Sequence, residues 1–189
     1  MARLPYISRE DLSEDKIHIY DRIAETRKGD IKTKGMPRIF QLLLNNPDAT
    51  APVAALGEYI RFSSNLDPVV REIAILSTAR EMSSQYEWAH HEPIARQVGV
   101  RDEVIESIRI KKAPMGLPPK EGVFVQLAKE MTNGGAVNQN TFNAVEHLLG
   151  VSSTVDLIVL VGYYAMLSKL MHALDIELEL GVDSGFSDD

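Results

Sequence analysis

The spacing of apolar residues is helical along nearly the whole chain, and this feature constrains the fold more than any other. Apolar side chains recur at intervals of three and four residues, and no stretch alternates apolar and polar residues as a half-buried strand would. Helix-capping residues occur where helices should begin and end: Asp67 precedes Pro68, and Gly99 follows Val98. The sequence therefore predicts an all-α protein, a single-domain antiparallel bundle of seven to eight helices.

The caps also predict where individual helices begin and end. The predicted helices that matter below cover roughly 11–26, 68–82, 84–98, 139–149 and, after a cap at 152 or 153, a last one to about 179. In the first of them, the residues predicted to face inward are Leu12, Ile17, Tyr20 and Ile23. Residues 1–180 are predicted to form the domain.

Three segments are predicted to lie outside the helices. Residues 28–35, polar and rich in glycine and lysine, are predicted to form a mobile loop. Residues 113–119, "APMGLPP", contain too much proline for a helix and are predicted to be a connector. The tail, residues 181–189, has no core-forming residues and is expected to be disordered.

Composition excludes several classes of function. The net charge is −7 and no region is strongly basic, so a nucleic-acid partner is not expected. The N-terminus has no signal-peptide pattern, and the longest apolar run, Leu157–Leu167, is well short of the ~20 residues that span a bilayer, so we expect no membrane association and a cytoplasmic location. The chain has no cysteine, which excludes a disulfide, a thiolate nucleophile and a cysteine-ligated metal.

The last helix is apolar on almost every side. The five residues Leu157–Val161 are consecutive and apolar. Such a helix must be central or must face another subunit, and a domain of this size seldom buries a helix all round. The sequence therefore predicts a homo-oligomer.

A polar cluster, "SSQYEWAHHEP" at 83–93, breaks the apolar pattern of the helix that contains it. Stepping back from the apolar stripe at Val98 by three and four residues places His91, Glu87 and Ser84 on the core-facing side. Glu87 and His91 are four residues apart and within reach of each other. The helix before it repeats the anomaly, because Glu72 falls among the inward residues of that helix.

The register of the two helices brings these residues to the same height. If the chain reverses at Met82–Ser84, Glu72 lies ten residues before the turn and His91 nine residues after its start. The predicted site is therefore Glu72 facing Glu87 and His91, with Tyr86 a turn away. Two carboxylates and an imidazole in a partly dry pocket alter one another's protonation, which suits general acid–base catalysis.

Structural explanations remain open beside this catalytic one. Ser84-x-x-Glu87 fits a helix-capping box, Glu72 in a first turn suits the helix dipole, and a lone inward histidine is more often a hydrogen-bonded core residue. Trp88 is most simply a packing residue and His90 most simply exposed.

A metal site is the other chemical alternative. Glu87-x-x-His90 has the spacing of half a di-iron carboxylate site, but the chain has no second Glu-x-x-His. A mononuclear site from Glu72, Glu87 and His91 stays open. We expect no metal.

Residues 71–100 resemble the signature of the carboxymuconolactone decarboxylase family, which includes the alkyl hydroperoxidase D-like proteins. The matching elements are Arg71-Glu72, Tyr86-Glu87-Trp88, His91, Ala95 and Gly99-Val100. The flanking helices, including "NNPDATAPVAALGEYIRFSSNLDP", fit the same layout. The resemblance implies an all-helical bundle of the alkyl hydroperoxidase D-like type that assembles as a trimer or as a hexamer.

The resemblance also separates two branches of chemistry. The peroxidase branch uses a Cys-x-x-Cys pair whose positions are Ser84 and Glu87 here, helped by residues at the positions of Glu72 and His91. Serine and glutamate cannot form a disulfide or reduce a peroxide, so thiol peroxidase activity is excluded. The decarboxylase branch keeps an acidic residue and a histidine and needs no cofactor, which matches Glu87 and His91.

The hypothesis is a cofactor-independent carbon–carbon lyase acting on a small carboxylated lactone or enolisable acid. His91 donates a proton, Glu87 and Glu72 orient it, and Tyr86 hydrogen-bonds the enolate. The predicted substrate-binding residues are Ser84, Trp88 and His90. The alternatives are a hydrolase or isomerase using the same site, and a non-catalytic oligomeric protein that binds a small molecule or serves as a scaffold.

Overall fold

The computed structural model describes residues 1–27, 36–112, 119–179 and 181–186, and the regular elements within these ranges are all helical. The α-helices are α1 (Ile17–Thr26), α2 (Arg38–Leu43), α3 (Pro47–Glu58), α4 (Pro68–Glu81), α5 (Gln85–Val98), α6 (Asp102–Arg109), α7 (Pro119–Thr132) and α8 (Gln139–Leu174). A 3₁₀ turn covers Arg9–Asp11, and a π-helical turn covers Tyr59–Ser63. The all-α prediction is confirmed. The predicted loop at 28–35 and residues 113–118 of the predicted connector lie outside the described residues.

The chain forms two compact units, the first made of residues 1–63 and 171–182. Its helix α1 begins at Ile17 and not near residue 11, because the Ser8 and Asp11 side chains cap a separate 3₁₀ turn before it. The buried side chains of α1 are consequently Ile19 and Ile23, so the predicted inward stripe was wrong in part. Arg38 donates hydrogen bonds to the carbonyl oxygens of Glu177 and Leu178 within the same unit.

The second unit consists of residues 64–170 together with the end of the chain from residue 183. Helix α4 is its centre: every residue from Glu72 to Ala79 is buried, and α4 packs against α5, α6 and α7. A helix buried on all sides gives the polar residues on it no access to bulk water. The burial of Glu72 at the heart of the unit therefore requires a partner for its carboxylate.

Helices α4 and α5 form a hairpin whose ends are fixed by local signals. The Asp67 side chain accepts hydrogen bonds from the backbone N–H groups of Val69 and Val70, and so caps α4. Ser83 turns the chain with a φ of 51°, and α5 starts two residues later. Gly99 ends α5 in the left-handed region, at a φ of 98°. These boundaries agree with the prediction and place Glu72 opposite the second turn of α5.

Helix α8 is divided at Gly150, and it ends earlier than the sequence predicts. Gly150 has non-helical geometry, with a φ of 74° and a ψ of 168°, and two helices meet there, as the predicted helix end before Gly150 and the predicted new start after it require. The helix stops at Leu174 because Asp175 adopts a φ of 54°. By length and composition α8 could cross a membrane. Its apolar window is 33% buried, and one such helix is weak evidence for a membrane span.

Part of the C-terminal tail makes contacts within the second unit. Gly185 accepts a hydrogen bond at its carbonyl oxygen from Arg109, and the ring of Phe186 lies against Trp88. Phe186 is an apolar anchor that the composition argument for disorder did not count. Residues 187–189 lie outside the described residues.

Candidate active site

Glu72 and His91 form a direct hydrogen bond across the α4–α5 hairpin. The Glu72 Oε2 to His91 Nδ1 distance is 2.8 Å, and both side chains are almost fully buried. The residues come together because each lies on the core-facing side of its helix at the same height in the hairpin. The structure thus brings together the pair that the register predicts.

The other ring nitrogen of His91 faces two further polar groups. Glu87 Oε2 lies 3.5 Å from His91 Nε2, one helical turn away on α5. The hydroxyl of Tyr164, from α8, lies 3.3 Å from the same nitrogen, and the two rings meet edge to face with their centroids 5.1 Å apart. The predicted triad is therefore joined by a tyrosine that the sequence argument did not name.

A cation beside Glu72 completes this arrangement. Arg71 Nε donates a hydrogen bond of 3.3 Å to Glu72 Oε1, the oxygen that does not face His91. The two carboxylate oxygens of Glu72 thus have different partners, one cationic and one an imidazole. The guanidinium favours the ionised carboxylate, which is the form that can accept a proton-bearing Nδ1.

The geometry around His91 supports proton transfer at a single nitrogen. With Glu72 as a carboxylate, Nδ1 of His91 donates the hydrogen bond between them, so Nε2 is the ring nitrogen that faces the other groups. The Tyr164 hydroxyl lies 3.3 Å from Nε2, and Glu87 Oε2 lies 3.5 Å from it. The carboxylate on one side of the ring fixes both the orientation and the tautomer, as in other carboxylate–histidine pairs.

Two neighbouring residues of the predicted site form a stacked pair. The rings of Tyr86 and His90 lie 4.2 Å apart, and His90 Nδ1 donates a hydrogen bond of 2.8 Å to the Tyr86 carbonyl oxygen. His90 is buried, so the expectation that it is exposed was wrong. The reason is that α5 is buried on all sides over Tyr86–His91, where the amphipathic pattern predicted a solvent-facing side. The catalytic role of Tyr86 and the substrate-binding role of His90 stay predictions.

Ser84 and Trp88 differ in what surrounds them. Ser84 is buried at the N-cap of α5, and its side chain makes no capping hydrogen bond. Trp88 is fully buried and donates from Nε1 to Glu92 Oε2 over 3.0 Å. Trp88 is thus a packed residue of the unit, and contact of either residue with a substrate stays a prediction.

The carboxylates of the site are placed unfavourably for a shared metal ion. Glu72 and Glu87 contact opposite nitrogens of the His91 ring, so the three side chains do not converge on one point. In the ranges that the structure describes, no group of three or more histidine, aspartate or glutamate side chains is arranged to hold a metal.

Tyr164 is the site residue that sequence reasoning missed. It is 73 residues from His91 in the chain and lies within the apolar run of α8. The available signal was a pair of hydroxyls, Tyr163-Tyr164, in a helix otherwise predicted to be buried or in a subunit interface. A buried tyrosine usually hydrogen-bonds through its hydroxyl, but nothing in the helical pattern indicates which group it meets.

Comparisons with known proteins agree with the resemblance seen in the sequence. The model of the carboxymuconolactone decarboxylase family matches residues 47–130, which include the Glu72, Glu87 and His91 positions. The family resemblance is thereby confirmed over this segment. No curated protein matches the chain in sequence.

A solved structure shares the fold over nearly the full length. A crystal structure of a cysteine-to-alanine variant of the debrominase Bmp8, in complex with 2,3,4-tribromopyrrole, superposes with a TM-score of 0.75 and 10% sequence identity. The match covers 95% of this chain and 95% of the other. At this identity the similarity establishes the helical fold and leaves the chemistry to be argued from the site.

Proposed function

We propose that this chain is a cofactor-independent carbon–carbon lyase of the carboxymuconolactone decarboxylase type. The observation that carries the proposal is the placement of His91, held at Nδ1 by Glu72 while Nε2 faces Glu87 and Tyr164. The family match over residues 47–130 supports the same class. The substrate class is a small γ-lactone, or an enolisable acid, that carries a carboxylate beside a conjugated carbonyl.

The proposed reaction begins with loss of the substrate carboxylate. The bond between the ring carbon and the carboxylate breaks, CO₂ leaves, and the electron pair passes into the conjugated carbonyl to give a dienolate. The hydroxyl of Tyr164 donates a hydrogen bond to the developing enolate oxygen, a role first assigned to Tyr86. The buried setting strengthens that hydrogen bond, since the dielectric constant around it is low.

Protonation of the carbanionic carbon completes the reaction. The imidazolium of His91 gives up its Nε2 proton to that carbon, and the carbonyl re-forms. Glu72 keeps Nδ1 protonated throughout and stabilises the imidazolium before transfer. Glu87, next to Nε2, passes a solvent proton back to His91 for the next turnover. The chain has no thiol, so a thiol-dependent reaction is not available to this site.

Replacing His91 by alanine tests the proposal directly. With carboxymuconolactone as substrate and no added metal, flavin or thiol, CO₂ release and the ultraviolet absorbance change are measured together. His91→Ala should lower kcat by roughly 10²–10⁴-fold, the usual contribution of a positioned acid or base. His147→Ala, the same change at an exposed histidine of α8, serves as the matched control and should leave kcat unchanged.

Three outcomes would lead to other conclusions. Wild-type turnover in His91→Ala would make His91 a hydrogen-bonded core residue. Consumption of the lactone without CO₂ would indicate hydrolysis or isomerisation at the same site. Saturable binding without turnover would indicate the non-catalytic binding protein.

A further inference from the structure

The end of the chain is docked on a surface formed by α4, α5 and α6 of the second unit. We call this the tail-docking surface; it consists of Arg80, Trp88, Glu92 and Arg109. The ring of Phe186 lies edge-on to Trp88 with centroids 5.5 Å apart, and the guanidinium of Arg80 lies 4.5 Å from the Phe186 centroid. Arg109 donates a hydrogen bond to the carbonyl oxygen of Gly185. Both residues of the Gly185–Phe186 pair are therefore bound.

Gly185 fits this surface only as glycine. Its φ is 75°, and a Cβ built on it would lie 2.6 Å from Trp88 Nε1 and 3.3 Å from Glu92 Oε2. The first of these distances is a clash. Gly181 offers a contrast, since it has a φ of 80° and nothing within 4 Å of its Cβ position. The backbone of Gly185 thus approaches the indole more closely than any other residue type permits.

The Trp88 ring cannot move aside to relieve such a clash without breaking other contacts. Its Nε1 donates to Glu92 Oε2, and Glu92 Oε1 accepts hydrogen bonds from Arg96 over 3.0 Å and from Arg109 over 2.7 Å. The guanidinium of Arg109 also lies over the indole, 5.2 Å from its centroid. The indole is therefore held on one face by Arg109 and along one edge by Glu92 and the tail.

Both arginines of the docking surface contact the tail through groups that carry no net charge. Arg109 donates to the Gly185 carbonyl oxygen while it is also paired with Glu92, and Arg80 lies over the Phe186 ring. Docking therefore depends on these contacts and not on the net charge of the tail.

The docking surface and the candidate active site share the same two turns of α5. Trp88 and Glu92 each follow a site residue directly, Glu87 and His91 respectively. Successive residues of a helix point about 100° apart. Glu72 of α4 consequently holds these two turns of α5 on one face, through its hydrogen bond to His91, and the tail holds them on the adjacent face.

We propose that Gly185 and Phe186 are positioning residues that fix Trp88 and thereby hold Glu87 and His91 in their orientation. The docking itself is independent of any reaction. Its effect on catalysis rests on the proposed function.

The docking is tested by fluorescence, because Trp88 is the chain's one tryptophan. The variants are a truncation after Val182, Gly185→Ala and Phe186→Ala, with Gly181→Ala as the control of equal backbone strain. In the first three, Trp88 emission should shift to longer wavelength and acrylamide should quench it more strongly. Gly181→Ala and Phe186→Tyr should match the wild type. Wild-type emission and quenching in the truncated protein would overturn the docking.

The positioning role is tested by amide hydrogen exchange and by kinetics. The backbone amides of residues 86–92 should exchange faster when the tail is removed. A synthetic peptide of residues 180–189 should restore the protection of these amides when it is added back. Unchanged exchange in a protein whose Trp88 has become exposed would overturn the positioning role.

The kinetic measurement compares the kcat of each variant with that of the wild type, on a substrate that the wild type converts. Gly185→Ala should lower kcat by about 10-fold to 10²-fold, the range caused by misplacing a catalytic group by about 1 Å, with little change in KM and with a displaced pH–rate profile. A kcat and a pH–rate profile equal to those of Gly181→Ala would overturn the role in catalysis. Absence of decarboxylation in the wild type would refute the proposed function and leave the fluorescence and exchange results to decide docking and positioning.

Discussion

A buried histidine that touches two carboxylates is an expensive arrangement unless every group has a partner. Burying an ionised carboxylate without one is strongly unfavourable. Here Glu72 has Arg71 on one oxygen and His91 on the other, while Nε2 of His91 faces Glu87 and Tyr164. Chemistry that needs an oriented imidazole would account for this set of buried, paired groups.

Glu72→Gln should abolish the orientation of His91 while preserving the shape of the side chain. A glutamine amide can donate to Nδ1, which favours the tautomer with its proton on Nε2 and removes the charge that stabilises the imidazolium. We expect kcat to fall by roughly 10²–10⁴-fold, as expected for a wrongly held general acid. The measurement is CO₂ release at substrate saturation, with Glu103→Gln on the exposed side of α6 as the matched control. A kcat within twofold of the wild type would contradict the orienting role.

Tyr164→Phe should separate the contribution of the Tyr164 hydroxyl from that of its ring. The edge-to-face contact with His91 is kept, while the group 3.3 Å from Nε2 is lost. We expect the free energy of unfolding to fall by about 0.5–1.5 kcal/mol, the net contribution of one hydrogen bond. The turnover should fall by more than this energy implies, since hydrogen bonds to a developing enolate strengthen in the transition state. Urea denaturation and kcat are compared with those of Tyr163→Phe, the same change one residue away; equal effects of the two changes would deny Tyr164 a special role.

The residues of the site differ in how far the sequence could reveal them. Glu72, Glu87 and His91 were predictable because helical register and one tight turn fix their relative positions over twenty residues. Tyr164 was not, because its contact with His91 depends on how α8 packs, and periodicity carries no information about that. The exposure of His90 was misjudged for the same reason: an amphipathic pattern cannot show that neighbours cover the polar side of α5.

At the scale of helices, the capping residues predict where a helix begins and ends, whereas the amphipathic pattern does not predict which of its faces a neighbouring helix buries. Asp67 and Gly99 mark the ends of α4 and α5 where the sequence places them. The cap of α3 is Asn46, whose side chain accepts from Ala49 N–H, although Asp48 two residues later is also of a residue type that caps helices. Both residues are good N-caps, and Pro47, which suits the first position of a helix, decides in favour of Asn46.

An ion pair between α5 and α6 predicts a loss of stability in acid. Burial alone raises the pKa of the Glu92 carboxyl, but the hydrogen bond from Arg96, the charge of Arg109 and the hydrogen bond from Trp88 together hold that pKa below its ordinary value. A pKa lower in the folded than in the unfolded chain stabilises the fold above the unfolded pKa of about 4.3. That stabilisation is lost as the pH falls from about 4.3 through the folded pKa.

The free energy of unfolding should therefore fall more steeply between pH 6 and pH 3 in the wild type than in Glu92→Gln. Urea denaturation at both pH values measures the difference. Glu106→Gln is the control, because Glu106 pairs with the same Arg109 over 3.1 Å but is largely exposed, and its loss should leave the acid dependence nearly unchanged. Parallel acid dependences of the wild type and Glu92→Gln would contradict the role of Glu92.

For the whole molecule, the class of fold was predictable although the solved structure that shares the fold has only 10% sequence identity to this chain. Helical periodicity and caps predict the class of fold because they depend on residue type and local spacing. How the long helix packs depends on contacts between segments that are distant in the sequence. The break at Gly150 was predictable because glycine readily adopts the positive φ that ends one helix before the next begins.

The surface of α8 leads us to propose a homo-oligomer. Val155 and Met166 are 54% and 37% exposed, and Gly162 lies between them. Residues seven and eleven positions apart return to the same face of a helix, so these three form one strip. An exposed apolar strip on a long helix is typical of a subunit interface, and the family resemblance indicates a trimer or a hexamer.

Light scattering at micromolar concentration should therefore give a mass several times the 21.0 kDa of one chain. Val155→Glu places a charge in the strip, which must be desolvated if the strip is to pair, and should shift the mass towards that of the monomer. Ile110→Glu is the matched control, because Ile110 is similarly exposed, at 46%, but lies after α6 and away from the strip. A monomeric mass for the wild type would reject the oligomer outright. Equal effects of the two substitutions on the mass would contradict an interface on α8. A charge at either position would then act through general destabilisation of the fold and not through the loss of a paired apolar face.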